Sequence, residues 1–404
     1  MIIEKFSFRN GEKMSLYRVY AKIDLDAVEH NIDLIKSKLP KGKKLLLVVK
    51  ADAYGHGAVE LAGKFEHKAD YFGVAEINEA LELRKNGITK PILILGFTAP
   101  ENFAAAVKHD ITLTMFQPKM LLKLSQTAQA LCKTAKIHFA VDTGMSRIGW
   151  DVSEQSADEA AEAFRLPNIE VEGIFSHFAT ADETDKSFSM RQREDFERFI
   201  AMLAERGVDI PIKHLNNSAG VLEFDKYFDM VRAGIIIYGL YPSAEVKESI
   251  GEKLPLRPAM ELITHVAHVK TLPAGKSISY GATFVTEKEM RVATLRIGYA
   301  DGYPRALSGK GEAIIHGVRC PILGRVCMDQ MMVDVSALES IEIGDTATLV
   351  GKNGGEFISA EEVADNSFSF NYEFVCGISR RVPRVYYKNG SLYETVLHID
   401  TYFS

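Results

Sequence analysis

The stretch 45–57, LLLVVKADAYGHG, sets five consecutive apolar residues against one lysine and then a run of small residues. An apolar run without alternation is the pattern of a parallel strand covered on both faces. Outward from it the same pattern recurs as YFGVAE (71–76), PILILGF (91–97), ITLTMF (111–116), KIHFAVD (136–142), VEGIFSHF (171–178), IKHLNNS (212–218) and MVRAGIIIYGL (230–240), with RVYAKIDL (18–25) before them all. The segments between have helical periodicity. Asp26 is a candidate N-cap ahead of the stripe Val28, Ile32, Ile35 and Leu39, and Phe196, Phe199, Ile200 and Leu203 repeat the stripe before Gly207 stops it. Eight or nine strands alternating with helices predict an α/β fold, a (β/α)8 TIM-type barrel over residues 18–250. An open doubly wound sheet is the alternative; it loses ground because no GxGxxG turn follows the first strand.

Beyond residue 250 the pattern becomes alternating and β-branched, in LITHVAHVK (262–270), RVATLRI (291–297), AIIHGVRCPIL (313–323), MMVDVSAL (331–338) and ATLVGKN (347–353). Turn pairs such as His316-Gly317 and Asn353-Gly354 separate the runs, so a mainly antiparallel β domain is expected over 251–404. Its one helical candidate is SAEEVAD (359–365), with Ser359 as cap and Glu362 completing a capping box. Residues 1–17 are read as a strand added to this domain, with a disordered extension as the alternative.

A chain of 404 residues exceeds the size at which one core usually divides, which fits two domains. The net charge of -6, with both signs interspersed, argues against nucleic acid or a membrane surface as partner and for a small molecule. Cys132, Cys320, Cys327 and Cys376 show neither a disulfide framework nor a metal-binding spacing. No zinc or other metal site is expected. The absence of a signal-like N-terminus or a membrane-length apolar run leads to the expectation of a cytoplasmic protein.

In such a barrel the chemistry belongs at the C-terminal ends of the strands. Lys50 stands there after its apolar run, where desolvation lowers an amine pKa toward nucleophilic use; the plainer alternative is a lysine that snorkels to water. Tyr54, Ser218 and the pair Gly234-Ile235 offer the hydroxyls, N–H groups and close backbone approach that a phosphate needs. Singly, each has an ordinary explanation: a packed aromatic, a helix cap, a close helix-to-strand contact. Arg147 and Arg232 add cationic forks suited to a carboxylate or an aromatic nitrogen, unless they form surface ion pairs.

The segment VVKADAYGHGA around Lys50 resembles the pyridoxal-phosphate lysine motif of bacterial alanine racemases. VDTGMSRIG, GIFSHFATADE, HLNNSA, VRAGIIIYG, SISYG, IGYADGYPR and GRVCMDQMMVD follow in that family's order. The resemblance implies a barrel plus β domain, a homodimer with shared active sites, and pyridoxal 5'-phosphate as cofactor. Lys50 would hold the cofactor. Tyr54, Ser218, Gly234 and Ile235 would bind its phosphate beside Asn217, His177 would stack on the ring, and Arg232, backed by His214, would face the pyridine nitrogen. Tyr280 would be the second catalytic base, opposite Lys50, and the two would interconvert L- and D-alanine for cell-wall synthesis. Arg147 and the N–H of Met328 would bind the substrate carboxylate, Asp329 would support the site, and Tyr299 and Arg305 match the family's access corridor. Two positions depart from the family pattern. Ala140 stands where many members have a carbamylated lysine that orients the arginine, and Arg380 where a tyrosine often touches the phosphate. They keep open a racemase of serine or of small amino acids broadly. A non-catalytic cofactor carrier is a further alternative, which the β domain bearing Tyr280 argues against. A phosphosugar enzyme would leave Tyr280 and Arg232 without a role.

Overall fold

The computed structural model describes residues 17–397, so the expectation for an N-terminal strand within 1–17 falls almost wholly outside the described residues. The described chain divides into two compact units, one of residues 28–53 and 57–257, the other of the residues up to 27, residues 54–56 and those from 258 onward.

The first unit is a parallel barrel. In chain order, with β1 (Val19–Asp24) belonging to the other unit, its strands are β2 (Lys44–Val48), β3 (Tyr71–Val74), β4 (Ile92–Ile94), β5 (Thr112–Met115), β6 (Ala135–Asp142), β8 (Ile169–Phe175), β9 (Ile212–His214) and β10 (Met230–Ala233), with a short β7 (Trp150–Asp151) beside β6. They pair in the order β10-β2-β3-β4-β5-β6-β8-β9. The Asp229 N–H donates to the Lys213 carbonyl and the Arg232 N–H to the Asn216 carbonyl, and these bonds bridge β9 to β10 and close the ring. Strands such as β3 and β5 are buried at every residue, as expected of parallel strands covered on both faces, the two threonines of β5 included. Helix Ser187–Glu205 buries Phe196, Phe199 and Leu203, each worth about 1.5–3 kcal/mol of apolar transfer. Val28, Ile32 and Ile35 form the buried stripe expected of them.

The second unit is mainly antiparallel, with β1 as one of its strands. Its other strands are β11 (Met260–Leu272), β12 (Ser277–Ile278), β13 (Phe284–Val285), β14 (Met290–Leu295), β15 (Glu312–Ile315), β16 (Val318–Leu323), β17 (Met331–Asp334), β18 (Thr346–Asn353), β19 (Glu356–Ile358), β20 (Arg384–Lys388) and β21 (Ser391–Val396). Because β11 pairs with both β14 and β18, the strands β11-β14-β17-β16-β15-β18 form a ring that leaves no edge among them.

Three local expectations differ from the structure. RVYAKIDL does not lead into the barrel at residue 18: β1 pairs antiparallel with β11 and parallel with β20. Its apolar pattern suits either sheet, and only the long-range partners distinguish them. The helix that follows is capped by Asp24, whose Oδ1 accepts from the N–H groups of Asp26 and Ala27 at 2.9 and 3.0 Å, rather than by Asp26. Ser359 does cap Ala360–Asn366, but Glu362 turns to Arg319 instead of closing a capping box, and a second helix, Asn371–Cys376, follows.

Candidate active site

Within the barrel unit the strand ends gather cations and hydrogen-bonding groups. Lys50 stands two residues beyond β2, on a short helix Lys50–Gly55 whose sense is left-handed: φ is 51° at Ala51, 54° at Asp52, 52° at Ala53, 50° at Tyr54 and 80° at Gly55. Each non-glycine residue in that conformation costs roughly 1–2 kcal/mol, so the turn persists only because its surroundings hold it. The Ala51 N–H donates to Glu79 Oε1 at 2.7 Å, the Ala53 N–H to the Val49 carbonyl, and Asp52 accepts through its carbonyl from Gly57 and through Oδ1 from Ala58. Tyr54 to His56 belong to the other unit, where Arg384 Nε donates to the Gly55 carbonyl at 2.9 Å and the Tyr386 hydroxyl to the His56 carbonyl at 3.0 Å. Tyr54 is buried and meets Tyr372 edge to face.

Arg232, on β10, is 3% exposed and is therefore no surface ion-pair residue. Its Nη1 donates to His214 Nδ1 at 2.9 Å and to the His214 carbonyl; its Nη2 donates to the carbonyls of Ser176 and Leu215 and to His177 Nδ1 at 3.2 Å. Every acceptor is neutral, and Nε is the N–H not used in these bonds. Burial, reinforced by the charge of Arg147, pushes the Arg232 pKa down to about 9, which still leaves it cationic at neutral pH. The His177 ring is held well below its ordinary pKa by burial first and then by the charges of Arg232, Arg147 and Lys50. All three cations are thus felt at one imidazole.

After β9, Asn217 caps the helix Ser218–Glu223, its Oδ1 accepting from the Gly220 N–H at 3.0 Å. Ser218, which the sequence offers as a possible cap, is thereby released for a different bond. Its Oγ accepts from the Gly234 N–H at 2.9 Å, tying the end of β9 to the end of β10. Ile235 opens the 3-10 turn Ile235–Tyr238, where the first N–H groups have no acceptor within the turn. Arg147 is exposed on the loop after β6, and Asp142 Oδ1 shapes that loop by accepting from the N–H groups of Gly144 and Ser146.

The remaining candidates lie in the β unit. Tyr280, 70% exposed, opens the turn Tyr280–Ala282; Ser279 before it donates through Oγ to the Arg325 carbonyl at 2.6 Å. Met328, 51% exposed, sits in a reverse turn closed by the Cys327 N–H to the Gln330 carbonyl. Gly298 backs that turn so closely that a Cβ would fall 2.2 Å from the Cys327 oxygen and 2.4 Å from the Met328 oxygen. Arg381 Nη2 donates to Asp329 at 2.7 Å. Tyr299 and Arg305, both exposed, open the 3-10 turns Tyr299–Asp301 and Arg305–Leu307, whose last residues are buried.

Two family descriptions match in tandem, "Alanine racemase, N-terminal domain" over residues 23–242 and "Alanine racemase, C-terminal domain" over residues 259–386. The chain belongs to the alanine racemase family. The alanine racemase of Methanococcus maripaludis is 45% identical over 375 residues, 92% of this chain and all of that one. That of Clostridium tetani is 46% identical, covering 93% of this chain and 96% of its own. Among solved structures, the alanine racemase of Clostridium difficile 630 matches with a TM-score of 0.91 at 41% identity over 95% of this chain and 99% of that one. The Bacillus anthracis alanine racemase, solved with bound L-Ala-P, matches with a TM-score of 0.89 at 39% identity over 94% of this chain and 98% of that one. Within this family both departures are visible in three dimensions: Ala140 is buried on β6, and Arg380 is exposed just after the helix Asn371–Cys376. Sequence reasoning missed Glu79 and Asp52 as props of the left-handed turn, since a carboxylate on a helix face gives no sign of which backbone it will hold.

Proposed function

We propose that the chain interconverts L- and D-alanine with pyridoxal 5'-phosphate held at the strand ends of the barrel, Lys50 and Tyr280 acting as the two bases. The donor set fits that cofactor: an amine, a hydroxyl, the N–H groups of a strand-to-helix turn, and a buried arginine with one N–H outside its own bonds. The observation that carries the reading is Arg232, a buried cation with no carboxylate among its acceptors. When bound, pyridoxal phosphate supplies a ring that withdraws electrons from the substrate Cα and makes its proton removable.

Lys50 Nζ holds the cofactor covalently and moves a proton at one face of Cα. The Tyr280 hydroxyl, from a second copy of the chain in a homodimer, moves a proton at the other. Inversion needs a base on each face, because the returned proton must arrive opposite to the one removed. Arg232 Nε would face the ring nitrogen and would not surrender its proton, which would moderate electron withdrawal and restrain side reactions. Ser218, Tyr54 and the backbone of Gly234 and Ile235 would hold the phosphate beside Asn217, and His177 would stack on the ring. Arg147 and the Met328 N–H hold the substrate carboxylate. The D-alanine made is a building block of the cell wall. The test is racemisation of a panel of small amino acids by protein supplied with cofactor: alanine is expected to turn over fastest, and a clear preference for serine would overturn the alanine assignment.

A further inference from the structure

Strand β6 carries one imidazole in an apolar run, His138 in KIHFAVD, for which the proposed reaction has no role. The residue is completely buried. Its partner in the neighbouring strand is Gly173, where a Cβ would stand 2.5 Å from the ring atoms Cε1 and Nδ1, so β8 leaves out a side chain to admit this ring. His138 Nδ1 lies 2.9 Å from His214 Nε2, and His214 Nδ1 lies 2.9 Å from Arg232 Nη1. The three side chains form one file from strand to strand within the barrel unit.

Only one arrangement of protons fits that file. A guanidinium has donors and no acceptor, so His214 Nδ1 must accept. His214 is neutral, held well below its ordinary pKa by burial and then by Arg232, so its single proton is on Nε2 and points at His138 Nδ1. His138 is neutral for the same reasons, pushed down to about 3, and must carry its proton on Nε2. That last N–H is buried and meets no acceptor among the described residues, as expected where the polarity is imposed from the arginine end.

We propose that His138 is a positioning residue which, by accepting from His214 Nε2, holds the His214 ring in the orientation that keeps Arg232 aimed at the cofactor's ring nitrogen. The proposal rests on the reading of Arg232 given under the proposed function. Without an acceptor at His138, the His214 Nε2–H is buried with nothing to bond, and the ring gains by turning toward another acceptor, which takes Nδ1 out of line with Arg232 Nη1.

Long-range nitrogen–proton NMR spectra of histidine-labelled protein free of cofactor read the tautomers directly. In the unmodified protein His138 and His214 are each expected as the Nε2–H form; an Nδ1–H or doubly protonated His214 overturns the proposal. His138→Leu is expected to shift the His214 ring-nitrogen resonances, as its Nε2–H loses its acceptor and Nδ1 leaves Arg232, to displace the visible absorption band of the cofactor-loaded protein, and to weaken cofactor binding by roughly 10- to 100-fold, the loss of a hydrogen bond to a charged group. His138→Asn, whose Oδ1 can replace Nδ1 as acceptor, is expected to restore all three. Failure of the Asn variant to differ from the Leu variant overturns the proposal. Arg232→Lys separates this idea from the reading beneath it. A cofactor band that ignores Arg232→Lys overturns the site reading and this proposal together, whereas a band that moves with Arg232→Lys but not with His138→Leu overturns this proposal alone.

Discussion

Arg232 in the barrel unit is 3% exposed and makes five hydrogen bonds, whereas Tyr280 in the β unit is 70% exposed. The same contrast runs through their neighbours: Ser218 and His214 are buried and bonded, Met328 is half exposed on a turn. A group that must be aimed permanently is embedded in its own unit, where desolvation is compensated by a fixed set of acceptors. On the proposed reading Tyr280 serves a site completed by another copy, and such a group has to present itself at a surface. The difference teaches that the grip of Arg232 and Ser218 on the cofactor should be a property of the barrel unit and proton transfer a property of the pair.

Substitution at the two extremes should break the comparison most sharply. Lys50→Ala is expected to abolish the cofactor's visible absorption band and lower racemisation by roughly 10³-fold or more, measured by absorbance and polarimetry. Tyr280→Phe should leave that band in place yet lower turnover by roughly 10²–10⁴-fold, with solvent deuterium entering the two enantiomers unequally. Loss of the cofactor band in the Tyr280 variant would erase the distinction.

The pH dependence of folding tests the buried side alone. His138, His177 and His214 are all held neutral, His138 down to about 3, below the ordinary unfolded value near 6.5. The unfolded chain therefore binds more protons below that value, and the stability contributed by neutral burial is fully present above about pH 6.5 and lost as pH falls. Each imidazole contributes a slope of up to about 1.4 kcal/mol per pH unit. Urea unfolding of cofactor-free protein should weaken steeply between pH 6.5 and 5; a flat profile would mean that these rings are not held neutral.

Smaller effects sharpen the picture. Gly298→Ala forces a Cβ against the backbone of Cys327 and Met328, and should cost about 1–3 kcal/mol while raising KM for alanine more than it weakens cofactor binding. Ala51→Gly relieves one left-handed residue and should leave stability unchanged or raise it by about 0.5–1 kcal/mol in the same assay, opposite in sign to glycine substitution in an ordinary helix.

The barrel strands are legible in the sequence because strands covered on both faces are largely apolar without alternation, and the site is legible because polar residues cluster at the strand ends. The choice of sheet for RVYAKIDL is not, since β1 satisfies the same pattern with partners more than 200 residues away. Nor is the left-handed course of Ala51 to Tyr54 readable: alanine, aspartate and tyrosine all prefer the right-handed form, and the turn is held by Glu79, which accepts from the Ala51 N–H, and by Asp52, which accepts from the N–H groups of Gly57 and Ala58. His138 stands in the middle of KIHFAVD, but a single imidazole in an apolar run means nothing until its neighbours are known.

The sequence by itself determined which residue types stand at the ends of which strands, because periodicity and apolar burial are local properties of the chain. Tertiary structure alone decided what those residues do to one another. The neutral state of three imidazoles and the depressed pKa of Arg232 depend on burial that only the assembled barrel supplies, and the bond from Gly234 to Ser218 and the file from Arg232 to His138 depend on atoms brought within about 3 Å by strand pairing across long loops. Hydrogen bonding and desolvation act at contact distance, and contact between distant residues is what folding supplies.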